Sequence, residues 1–69
     1  MMAVDITKLP ESELLEDREA SITDISICEI ALIIGLTHID ESMTTQQRLD
    51  INKSVIEKID AELNRRKTE

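Results

Sequence analysis

The run THIDE, residues 37–41, sets one imidazole and two carboxylates side by side: His38, Asp40 and Glu41. Imidazole and carboxylate groups ligate zinc, and carboxylates with further oxygens ligate calcium. Three such groups on one short polar run fall short of a ligand set, and the run reads as a solvated loop. Nucleophilic chemistry has one thiol available, Cys28. A reactive thiolate needs a neighbouring cation or a helix N-terminus. Cys28 instead follows Ile27 and precedes Ile30 and Ala31, the surroundings of a small buried hydrophobe. A single histidine among many serines and aspartates defines no Ser–His–Asp arrangement. A single glycine, Gly35, rules out a glycine-rich phosphate loop. Adjacent acids such as Glu16 and Asp17 belong to an exposed helical surface. The expectation is therefore no catalytic, metal-binding or cofactor-binding residue, and no enzyme.

With no chemistry to position, the elements must serve another purpose, and composition narrows it. A chain of 69 residues forms one domain at most. At this size a lone monomer buries only about 60% of the surface its unfolded form exposes. Small domains compensate with disulfides, metals or partner subunits. One cysteine and one histidine exclude the first two, so oligomerisation is the remaining route, and a lone thiol suits a reducing compartment. The chain has no Phe, Tyr or Trp and a net charge of −7, which argues against direct nucleic-acid binding. The start, MMAVDITKLP, has no basic segment or long apolar run, so it does not read as a signal peptide. The apolar run at 30–34 is far short of the ~20 residues that span a bilayer. These features point to a cytoplasmic protein without a membrane partner.

Punctuation along the chain predicts an all-α antiparallel two-helix hairpin with a short N-terminal arm, its helices packing into an oligomeric bundle. Residues 1–9 read as a flexible arm and 10–69 as one helical domain. Pro10 suits a first helical turn, and Glu11, Glu13, Glu16 and Asp17 favour the positive end of the helix dipole. Nothing breaks the helix until Gly35, a C-terminal cap candidate, which gives a first helix over about 10–34. The β-branched stretch SITDISI, residues 21–27, keeps no strict period of two and has helical flanks. Residues 35–44 form the linker. Thr44 and Gln47 read as a capping box that opens a second helix over about 45–66. Residues 1–41 hold ten acids and two bases, a balance of −8, while 42–69 balance at +1. An antiparallel return sets the acidic start of the first helix beside Arg65, Arg66 and Lys67 at the end of the second, so local and long-range charge agree.

The second helix carries a coiled-coil seam: Leu49, Asn52, Ile56, Ile59 and Leu63 are spaced 3, 4, 3, 4, with Val55 widening it. Asp50, Lys53, Glu57, Asp60 and Asn64 take the opposite side. The first helix is apolar on more than one side. Leu14, Leu15, Ile22, Ile25, Leu32 and Ile33 fall within a third of its circumference and are expected to face the second helix. A second stripe of Ala20, Ile27, Ala31 and Ile34, with Ile30 between the two, occupies its C-terminal half. One helix cannot cover both, so Ile27, Ile30, Ala31 and Ile34 are expected to form an oligomer interface.

Arg18 and Glu29 interrupt the main stripe. In an antiparallel dimer of first helices they could pair between subunits; alternatively Arg18 snorkels to water and Glu29 bonds the linker, Asn52 or Lys53. Asn52 either fixes register in the seam, bonds the first helix, or faces outward.

The functional expectation is a small acidic self-associating protein that acts by protein–protein interaction, as a structural or regulatory adaptor, on itself and on a basic protein surface. The alternative is an acidic inhibitor or nucleic-acid mimic that blocks a basic surface; its acids circle the helix rather than forming one row. A third class is an anion pocket built from Arg18, Arg48 and the Thr44–Gln47 turn. The closing run RLDINKSVIEKIDAELNRR, residues 48–66, resembles the last helix of small helical proteins of tailed phages, head–tail joiners among them. That resemblance implies a phage or prophage accessory protein. The joiners carry a β-hairpin between their helices, and THIDESMTT lacks its alternation, so no functional residue carries over.

Overall fold

The computed structural model describes residues 5–68. A 3-10 turn, Ile6–Lys8, precedes two helices, α1 (Glu11–Ile33) and α2 (Thr45–Thr68). The described residues measure 45 × 26 × 15 Å along their principal axes. The smallest dimension is little more than one helix diameter of about 10–12 Å. The hairpin is thus one layer deep, and each helix has a single helical neighbour.

Each boundary follows from a local device. Pro10 is the N-cap of α1, just outside the helix rather than in its first turn, with extended backbone (φ −66°, ψ 154°). Its carbonyl accepts from the amides of Glu13 and Leu14. Glu11 and Glu13 follow in the first turn, where the dipole favours carboxylates. The SITDISI stretch is helical throughout, because its flanks carry the helix across it. α1 ends in a Schellman motif: Leu36 N–H donates to the Ala31 carbonyl (2.7 Å) and Gly35 N–H to that of Leu32 (3.2 Å). Gly35 supplies the required left-handed backbone at φ 85°.

The linker is tied by Asp40, which accepts from both the amide and the hydroxyl of Ser42 at 2.9 Å. Thr45 then closes it. Its amide donates to the Thr37 carbonyl (2.7 Å) and its hydroxyl to that of Leu36 (2.9 Å), and its side chain is buried. The capping box is reciprocal: Thr44 N–H donates to Gln47 Oε1 (2.9 Å), and Gln47 N–H to Thr44 Oγ1 (3.1 Å).

The face that α1 turns inward differs from the expected one. Leu14, Ser21, Cys28 and Ala31 are buried, and Arg18, Asp24, Ile25 and Leu32 are half-buried. Leu15, Ile22 and Ile33, expected in the core, are exposed. At 100° per residue the helix is rotated by about 70° from the stripe of largest side chains. Small residues at 21, 28 and 31 let the helices approach, and the same rotation brings Arg18 and Asp24 opposite polar partners on α2. On α2, Leu49 and Ile59 are buried, and Asn52, Val55, Ile56 and Leu63 are half-buried.

Candidate interaction surface

Three polar clusters bind the hairpin to itself. In the middle of the interface, Arg48 grips the Asp24 carboxylate through Nε (2.7 Å) and Nη2 (2.8 Å). Asn52 donates to the same carboxylate and to the Arg48 carbonyl (3.0 Å). The Arg48 hydrogen bond holds Asp24 below the usual carboxylate range; burial opposes the shift and Asn52 adds to it. Asn52 thus bonds the first helix, the second of the roles open to it. Nearer the termini, Arg18 Nε donates to Asp60 Oδ1 at 2.7 Å. Asp60, expected on the outer side of α2, is half-buried at this flank.

The third cluster joins the arm. Glu62 is only 5% exposed and accepts from Arg65 (2.6 and 2.9 Å) and from Arg66 Nε (2.6 Å). Hydrogen bonds from Arg65 and then Arg66 pull its carboxyl down to about 2. So oriented, Arg66 donates through Nη2 to the carbonyls of Leu9 (2.7 Å), Ile6 and Thr7 (both 3.3 Å). Asp5 caps the 3-10 turn through the Thr7 amide (3.1 Å). Residues 5–9 of the arm are thereby tied to the last turns of α2; residues 1–4 lie outside the described residues. A groove of about 390 Å³ opens beneath the turn, lined by Ile6, Leu9, Leu14, Ala20, Val55 and Ile59, with Asp17 and Lys58 as its charged groups.

Two of the groups read above for chemistry sit in these clusters, and the others lie elsewhere. Arg18 and Arg48, the arginines of the anion-pocket reading, are held by Asp60 and Asp24. The Cys28 thiol is buried, and burial pushes its pKa up. Asp40 is held low by the Ser42 amide and hydroxyl, and His38 is exposed beside Thr37. Among the described residues, no three His, Cys, Asp or Glu side chains converge as a metal site. Every buried side-chain nitrogen and oxygen there has a hydrogen-bond partner.

Most of the exposed large apolar side chains among the described residues lie on the second half of α1, with Leu15 and Ile51 apart from them. Ile22, Ile27, Ile30, Ile33 and Ile34 are 41, 48, 60, 83 and 71% exposed, and Leu36 follows them into the linker. Of the four residues expected at an oligomer interface, Ile27, Ile30 and Ile34 lie on this surface. Ala31 is buried within the hairpin. The two residues of the expected inter-subunit pair are also placed: Arg18 is engaged by Asp60 in its own chain, and Glu29 is exposed.

Reading α1 by side-chain size missed the clusters. The signal that finds them is the run Leu14, Arg18, Ser21, Ile25, Cys28, Leu32, spaced 4, 3, 4, 3, 4, which accepts polar members in a seam. No helix among the described residues is long and apolar enough to cross a membrane. No family model, no curated protein and no solved structure matches this chain.

Proposed function

We propose that this protein is a helical interaction module that works by protein–protein association, itself included, and not by catalysis. The observation that carries the reading is the exposed isoleucine surface on the second half of α1. Its five isoleucines together expose about as much as three whole isoleucine residues. At roughly 1.5–3 kcal/mol per buried aliphatic side chain, covering them is worth about 5–9 kcal/mol. That is comparable with the whole stability of an ordinary small domain, about 5–15 kcal/mol. Contiguous apolar surface of this kind marks an interaction site. The acidic first half of the chain favours a basic protein surface as a further partner.

Light scattering on a sizing column at micromolar concentration tests this with the wild type and Ile34→Asp. The expected result is a wild-type mass of at least twice 7.8 kDa, and a smaller mass for the variant. A folded wild-type monomer that captures no partner through this surface would overturn it.

A further inference from the structure

α1 carries a second seam. Its inward set, Leu14, Arg18, Ser21, Ile25, Cys28 and Leu32, repeats at 4, 3, 4, 3, 4. Glu16, Ala20, Thr23, Ile27, Ile30 and Ile34 repeat at the same spacing, centred about 160° around the helix. All six are exposed. From Ala20 to Ile34 this seam contains only aliphatic side chains and one threonine. The charged residues in that span point elsewhere: Asp24 is held by Arg48, and Glu29 lies about 140° from the seam centre.

We propose that a second copy of this chain occupies the second seam, with its α1 antiparallel and the two-fold axis passing between Ile27 and Ile30. This rests on the reading of α1 as an association surface and adds the occupant, the face and the direction. In this register Ile27 of each copy meets Ile30 of the other, and Thr23 meets Ile34, so the seam complements itself. Charge selects the direction. A parallel pair would stack Glu16 on its own counterpart and Glu19 likewise. The antiparallel pair sends those carboxylates beyond the opposite helix end at Gly35. The overlap from Thr23 to Ile34 is about 16 Å long. α2 lies on the far side of α1, so the assembly is a row of four helices with the two α1 helices inside. Arg18 and Glu29 both point away from the new interface, and Arg18 keeps Asp60.

The test measures mass and distance on the same sample. In a Cys28→Ala background, Glu16→Cys or Glu13→Cys carries a nitroxide label for pulsed electron resonance, and light scattering gives the mass. Circular dichroism checks that helicity matches wild type. The expected result is a dimer with about 40 Å between labels at 16, lengthening by about 9 Å at 13, because each residue of shift adds ~1.5 Å in each copy. A dimer with labels within about 20 Å at both sites overturns the antiparallel direction and leaves the association reading intact. A dimer whose mass is unchanged by Ile30→Glu overturns the face. A folded monomer overturns the proposal and the self-association reading together.

Discussion

The two ends of the hairpin solve the same problem differently. At the open end, where the arm meets the start of α1 and the last turns of α2, the chain supplies its own partners. Leu14 and Ile59 are buried, Arg18 meets Asp60, and Glu62 aims Arg66 at three arm carbonyls. At the loop end the backbone is equally well finished, with a Schellman motif, a capping box and a buried threonine. Its outer side chains are not: Ile30, Ile33 and Ile34 stand mostly in water. The contrast teaches that loop-end order is secured by backbone hydrogen bonds, which a single chain can complete. Apolar burial there finds no second layer within the hairpin, which is one layer deep.

The largest effect that separates the ends is Leu14→Ala. It empties a fully buried site, and such truncations cost about 2–5 kcal/mol. A urea melt should show the midpoint collapse, with no comparable loss for Ile33→Ser at the other end.

Next comes Glu62→Gln, with a defined pH signature. The folded-state pKa of Glu62 is about 2, below its ordinary 4.5. Its contribution is therefore complete above pH 4.5 and is lost as pH falls through about 2. Thermal melts should place the variant below wild type at pH 7, with the gap closing as pH approaches 2. A gap that persists at pH 2 would show that the loss comes from the Gln side chain itself and not from the missing charge. Asp24, also held low, adds to the same acid limb of the wild type.

A smaller loss is expected from Gly35→Ala. No atom lies near the added methyl, so only the left-handed backbone is penalised, by about 1–2 kcal/mol. Helicity and a melt measure it, and the solution mass should hold at concentrations where the variant is folded.

The hairpin itself was legible in the sequence because its signals are local. Pro10, Gly35 and the Thr44–Gln47 pair each act within a few residues of the boundary they set. The face of α1 was not legible by apolar size. Ile22 and Ile33 are larger than Ser21 and Cys28, yet the small pair is inside. That choice depends on partners 24 to 42 residues away, Arg48 for Asp24 and Asp60 for Arg18, which no local pattern names. Glu62 was legible as a helical neighbour of Arg66 but not as buried, because no local pattern names what covers it.

The smallest change in isolated-chain stability is expected for Ile33→Ser. Exposed positions of this kind move stability by no more than about 0.5 kcal/mol. Ile33 lies about 100° from the centre of the second seam, so the solution mass should hold as well, in contrast to Ile34→Asp.

The most direct test of the central claim, that α1 is completed by association, is the urea midpoint of the wild type at 1 and at 100 µM, concentrations chosen about two decades apart so that mass action is worth roughly 2.7 kcal/mol. Association predicts a midpoint that rises with concentration and loses that dependence in Ile34→Asp. A midpoint independent of concentration, for a chain that stays folded, would contradict it.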